Sequence, residues 1–176
     1  ITRTGSTTQG SFSPFSQTGW SGYFNGSSDY LTVPYAAWPV SSPSFTYEGW
    51  YNFNNTSGNI GLGAIYNLID FNYSWVTYYG ASITFSYRSA GSAWYSNTTA
   101  YTFIVGQWYH IAGVNDNGQG KLYIDGQLVA TRNGGTTPAV SADPLTIGYA
   151  GFHAYHHGQI DEVRVWNVAR SDQEIA

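Results

Sequence analysis

Between Phe45 and Phe53 the chain reads Phe-Thr-Tyr-Glu-Gly-Trp-Tyr-Asn-Phe, and this alternation constrains the fold more than any other feature. Successive side chains of a strand point to opposite faces. Phe45, Tyr47, Tyr51 and Phe53 therefore share one face, and Thr46, Glu48, Trp50 and Asn52 share the other. Similar short runs follow along the chain. Gly22-Tyr23-Phe24 leads through Asn25-Gly26 to Tyr30-Leu31-Thr32-Val33, which Pro34 closes. Gly61 to Phe71, Trp75 to Tyr79, Ser82 to Tyr87, Trp94-Tyr95 and Tyr101 to Val105 read as strands. So do Trp108 to Val114, Lys121 to Ile124, Gln127 to Ala130, Leu145 to Gly148 and the run from Ile160. Asp125-Gly126 is a favoured two-residue hairpin turn. About a dozen short strands spaced roughly 8–12 residues apart predict an all-β sandwich or barrel.

Helix signals are almost absent until Ser171-Asp172-Gln173-Glu174, a capping-box pattern with Ser171 as N-cap. A short helix is expected to start there. With 176 residues the chain suits one domain. We expect a lead-in segment over residues 1–20 and the sandwich over 21–176, as one domain of a longer polypeptide. No apolar run is long enough to span a membrane.

Charge is sparse: six Lys and Arg against ten Asp and Glu. That argues against nucleic acid, which needs clustered basic residues. Aromatics make up 18% of the chain, and Gly, Ser, Thr and Asn fill much of the rest. Such a surface suits contacts with sugars or neighbouring subunits, through stacking rings and hydrogen-bonding amides. Strand propensity alone also collects Tyr, Thr and Trp. Exposed aromatics such as Trp50, Trp94 and Tyr95 are the candidate ligand contacts.

No catalytic constellation stands out. A glycosidase needs two carboxylates flanking the bond. Of the three Glu, Glu48 and Glu162 could meet on one sheet, and no Glu-x-Asp-x-x-Glu pattern exists. His153, His156 and His157 cluster between Gly151 and Gly158. On a helix they could bind a transition metal. The bracketing glycines instead predict a polar loop, in which His153, Tyr155 and His156 could line a ligand site.

Gly158 to Asn167 carries an acidic residue at the opening of a strong strand. Simple alternation puts Asp161 with Val163 and Val165 on the core side, opposite Ile160, Glu162, Arg164 and Trp166. A carboxylate there is costly unless neutralised. A bound cation such as calcium would relieve it, and so would backbone amides or a nearby Arg.

Three segments together resemble the laminin-G-like, concanavalin-A-like jelly-roll superfamily. They are Tyr23 to Pro34, Phe45 to Tyr51, and the pair Gln107 to Ala112 with Lys121 to Val129. The Ile160 strand and the Ser171 helix start complete the order. The resemblance implies a two-sheet antiparallel jelly roll without implying enzymatic activity, since the fold hosts lectins, adhesion modules, glycosidases and structural domains. It also implies a structural calcium held by Asp161, with Asp29 as a further candidate. Gly10 to Ser21 resembles the lead-in of jelly-roll domains in virion proteins of tailed phages. That implies a non-catalytic module on a virion or cell surface. Its expected partner is a host glycan or another virion subunit, with the chain a homo-oligomer or part of a larger assembly. A purely structural decorating domain and a glycosidase relative are the alternatives.

Overall fold

The computed structural model describes residues 1–10, 12–34, 44–66, 73–88, 94–133, 144–151 and 154–176, without the side chains at 65–66, 73–75 and 88. Among the described residues there are fourteen strands, beginning with β1 (Thr2–Thr4), β2 (Thr8–Gly10), β3 (Ser21–Asn25), β4 (Tyr30–Val33), β5 (Phe45–Phe53), β6 (Asn59–Tyr66) and β7 (Tyr73–Tyr79). They continue as β8 (Ser82–Arg88), β9 (Trp94–Ala100), β10 (Trp108–Asp116), β11 (Gln119–Ile124), β12 (Gln127–Arg132), β13 (Leu145–Ile147) and β14 (His157–Trp166). A single turn of helix, α1 (Asp172–Ile175), follows. One seven-stranded sheet runs β1-β4-β13-β6-β7-β8-β9 and the other β12-β11-β10-β5-β14-β3-β2. All pairings between these strands are antiparallel. This is the expected jelly-roll sandwich.

The alternation of β5 holds. Phe45, Tyr47, Tyr51 and Phe53 are all buried between the sheets, against Leu62, Ile83, Phe85 and Ile111. At Asp125-Gly126 both residues have positive φ, 47° and 75°, as a type I′ turn demands. The capping box also forms: the Glu174 carboxylate accepts the Ser171 amide at 2.8 Å.

Three features differ from the sequence expectation. First, the lead-in supplies strands. β1 pairs with β4 and β2 with β3, so the first ten residues join an edge of each sheet. Second, Tyr101 to Val105 is a loop. The Ile104 amide donates to the Tyr109 hydroxyl (2.9 Å) rather than to a neighbouring strand, and Phe103 plugs the core 4.5 Å from the Phe53 ring. Third, β14 contains a bulge between Asp161 and Arg164, where Glu162 has φ 48°. A bulge inserts one residue and flips the facing of everything on one side of it. Ile160 therefore shares the core side with Val163 and Val165, and Asp161 opposes Trp50 on the outer face. The expected interior position of Asp161 is corrected accordingly.

A segment after β2 and the C-terminal helical turn both lie across the outer face of the second sheet. Ile175 of α1 packs on Ala112, Val114 and Tyr123. The Tyr123 hydroxyl donates to Asp172 at 2.6 Å, and Lys121 reaches the same oxygen at 3.2 Å. In the segment after β2, Phe12 meets Trp108 edge-on at 5.9 Å, and Phe15 meets Trp50 at 5.5 Å. Strand β5 is thus covered on both faces apart from Trp50.

Candidate functional site

Where these two coverings part, an open hollow of about 650 Å³ remains. Trp50, Trp108 and Phe15 form its aromatic side, and His110, Arg164 and Arg170 its basic side. Strand register brings them together. Trp50 lies between His110 on β10 and Asp161 on β14, and one step along β5 Glu48 lies beside Arg164.

Glu48 is the electrostatic centre. Its side chain is only 1% exposed, so an unpaired charge there would be very costly. Three groups answer it. Nη1 of Arg170 donates to both carboxylate oxygens at 2.8 and 3.0 Å, and the Trp166 indole donates to Oε1 at 2.9 Å. His110 Nε2 stands 3.7 Å from Oε2. The Arg170 guanidinium also lies 4.8 Å over the Trp166 ring. Thr46 Oγ1 accepts the Arg170 amide and donates to the Val168 carbonyl, which fixes the segment leading to α1. Burial holds the His110 imidazole below its ordinary pKa, against the opposing pull of Glu48 and Asp125. The neutral imidazole packs 5.4 Å from the Trp50 ring. Half-buried rings held rigidly from below form a stacking surface whose geometry is set before any ligand arrives.

The other sequence candidates scatter. Trp94 and Tyr95 lie on β9, the edge of the first sheet, where Tyr95 stacks on Tyr87 at 5.5 Å and Arg132 sits over its ring. Tyr155 joins Tyr30 and Tyr149 in a fan of rings 4.7 to 6.4 Å apart. His153 lies outside the described residues. His156 is a core residue, not a ligand contact. It is fully buried among Phe24, Tyr51 and Phe53, with Nε2 between the Asn52 and Gln159 carbonyls at 3.1 and 3.2 Å. Burial pushes its pKa down to about 4, so the ring is neutral. Of the five predicted contacts among the described residues, only Trp50 reaches the hollow. His110, Trp108, Arg170 and Phe15 were not singled out. The one sequence cue for His110 and Trp108 is that both alternate outward on β10, the neighbour of β5.

The two carboxylates expected to hold calcium are answered by N–H groups. Asp29, which is 1% exposed, accepts the Ser6 amide (2.6 Å) on one oxygen and the Asn25 amide (3.2 Å) on the other. Asp161 accepts the Glu162 amide at 2.9 Å. Calcium needs a shell of oxygen donors. Amide N–H groups thus meet both Asp29 oxygens and one Asp161 oxygen. Among the described residues no group of three or more His, Cys, Asp or Glu side chains converges on a metal position. Nor is any described helix long and apolar enough to cross a membrane.

A family profile described as the concanavalin A-like lectin/glucanases superfamily, of laminin G type, matches residues 25–176. The chain belongs to this superfamily. No curated protein matches its sequence. Among solved structures, this superfamily member is similar to domain 4 of AbnA, a GH43 extracellular arabinanase from Geobacillus stearothermophilus solved in complex with arabinotriose. The TM-score is 0.77 at 21% identity, over 97% of this chain and 80% of that one. The Ruminococcus gnavus IT-sialidase CBM40, bound to α2,3 sialyllactose, gives 0.63 at 19% identity over 75% and 80%. Domains LG4-5 of the mouse laminin α1 chain give 0.68 at 15% over 86% and 44%. At these identities the likeness establishes the shared fold.

Proposed function

We propose that this domain is a non-catalytic glycan-binding module and that the hollow around Trp50 is its binding site. The observation that carries the reading is an aromatic surface of Trp50 and Trp108 fixed beside a fully partnered Glu48–Arg170–Trp166 network. Sugars bind such sites by stacking their apolar C–H face on a ring while hydroxyls meet polar rims. The arabinotriose and sialyllactose complexes of similar domains support the same class of ligand.

Catalysis is disfavoured by the state of the carboxylates. Both Glu48 oxygens are engaged by Arg170, and Glu162, on its bulge, pairs with Arg164. Neither is poised as a general acid beside an activated water. The resemblance of residues 10–21 to phage lead-ins supports display on a virion surface, with an extracellular or cell-surface setting as the broader form of the same proposal. A structural calcium at Asp29 or Asp161 would bind beside the amide N–H groups these carboxylates already accept, and those bonds already offset part of the cost of each charge. An unchanged melting temperature in chelator is therefore expected.

The test is a glycan array followed by titration of the best-binding oligosaccharide. Trp50→Ala is expected to weaken binding about 30-fold or more, the scale of a central aromatic contact of roughly 2 kcal/mol, while leaving the fold intact. Wild-type affinity in Trp50→Ala would remove the hollow from consideration. An array without any hit would favour the decorating-domain alternative.

A further inference from the structure

One row of side chains beside the hollow has its hydrogen bonds unmade. On the outer face of the second sheet, Gln159 of β14, Asn52 of β5 and Trp108 of β10 stand directly side by side across three adjacent strands. Neighbouring strands lie about 4.8 Å apart, so the row places three polar groups at that spacing. Asn52 is 1% exposed and Gln159 is 8% exposed. Even so, Asn52 Oδ1, Gln159 Oε1 and the Trp108 indole Nε1 are buried without any hydrogen-bond partner among the described residues. The amide of Asn52 is oriented unambiguously, because its Nδ2 donates to the Gly106 carbonyl at 2.8 Å and must point that way. Its oxygen is therefore left as an open acceptor. Buried polar groups are normally partnered, and each exception calls for a cause.

The segment passing over this row is the lead-in. Gly10 lies so close that a Cβ there would stand 3.1 Å from Gln159 Cγ. The Phe12 carbonyl is held by the Ser21 hydroxyl at 2.7 Å, and its ring rests against Trp108. Phe15 lies on Trp50, yet it is 65% exposed. Among its described residues this cover makes one side-chain hydrogen bond to the second sheet and two edge-on ring contacts. It satisfies none of the three orphan atoms beneath it.

We propose that Gln159, Asn52 and Trp108 form a second sugar subsite continuous with the hollow at Trp50, and that the segment bearing Phe12 and Phe15 is its displaceable cover. The inference rests on the glycan-binding reading of the hollow and adds to it a ligand class. Two acceptors and one donor, with no charge in the row, match a neutral sugar. Each hydroxyl of such a sugar both donates and accepts, so it can serve neighbouring amide and indole groups at once. An anionic sugar would bring a carboxylate against two carbonyl oxygens and be repelled. The cover costs affinity, because a site open only a fraction of the time binds with its intrinsic strength multiplied by that fraction.

The test uses Gln159→Met, which keeps the stem and removes the acceptor, with Trp108→Phe as a second, independent variant. Arabinotriose is titrated as the neutral probe and 3′-sialyllactose as the acidic one, each followed beside the melting temperature. Both variants are expected to bind arabinotriose about tenfold more weakly, the scale of one hydrogen bond to a buried partner. Gln159→Met should melt no lower than wild type, since it keeps the stem and deletes an unsatisfied buried acceptor. Phe12→Ala should bind arabinotriose more tightly than wild type. Gln159→Met melting lower while binding normally would mean that ordered water already fills the row as structure, and would overturn the subsite. Normal binding in Gln159→Met and Trp108→Phe alongside loss in Trp50→Ala would overturn the subsite and leave the hollow standing. Preference for 3′-sialyllactose would overturn the neutral ligand class, and absence of binding by either probe or any array glycan would overturn both proposals.

Discussion

The outer faces of the two sheets are built from the same alternating pattern and end up as different surfaces. On the first sheet, hydroxyls pair with each other across β8 and β9: Thr84 with Thr98 at 2.9 Å and Ser86 with Ser96 at 2.8 Å. Those groups have spent their hydrogen bonds locally. On the second sheet the outward positions of β5 carry Glu48, Trp50 and Asn52, and the segment after β2 and the C-terminal helical turn fold over that face. There one group is over-partnered, one is half-open and one keeps an orphan oxygen. Binding capacity follows from incomplete covering rather than from exposure as such. A hydroxyl ladder whose members pair with each other has little left to offer a ligand, whereas a half-covered polar group without a partner gains most from one.

The comparison is sharpened most by removing the pin under the second face. Arg170→Ala leaves the Glu48 carboxylate buried with the Trp166 indole and the His110 imidazole as its remaining partners. A loss of about 3–5 kcal/mol in urea-unfolding free energy is expected, the scale for a buried ion pair deprived of one partner. A loss below about 1 kcal/mol would mean that water reaches Glu48 and that the network is a surface one.

Acid tests the interior side of the same sheet. The unfolded chain protonates His156 near its ordinary 6.5, while the folded chain resists until about pH 4. The unfolded state binds the extra proton in that window, so stability present above pH 6.5 is lost as pH falls towards 4. The expected loss is about 3 kcal/mol. His156→Gln should flatten this limb of the stability profile relative to wild type, and an unchanged slope in that variant would assign the acid sensitivity to carboxylates.

The smallest effect is expected on the first sheet. Thr84→Val together with Thr98→Val removes both partners of one hydroxyl pair. That should move stability by no more than about 0.5 kcal/mol and leave glycan binding unchanged. Loss of binding there would shift the site to the other face.

The sandwich was legible in the sequence because its signals are local. Alternation in β5, the Asp125-Gly126 turn and the Ser171–Glu174 box each specify their own few residues. The site was legible only at Trp50. Asp161 was misplaced because a bulge at Glu162 is a one-residue event, and alternation on either side of it looks continuous. Tyr101 to Val105 reads as a strand by composition, yet the Tyr109 hydroxyl and the core position of Phe103 draw it into a loop. His156 looks like part of a polar loop until the fold buries it. Arg170 lies beyond the last strand, so its union with Glu48 is a tertiary fact with no local trace. The contribution of residues 2–10 to both sheets is of the same kind, since short Thr-rich edges carry no apolar pattern.

The most direct measurement is an amide and indole NMR titration with arabinotriose. The account predicts that shifts concentrate on the second sheet, at Trp50, Trp108 and His110 and extending to Asn52 and Gln159, with the Thr84, Ser86, Ser96 and Thr98 amides silent. Shifts confined to β8 and β9, or to the Tyr30–Tyr149–Tyr155 fan, would contradict it.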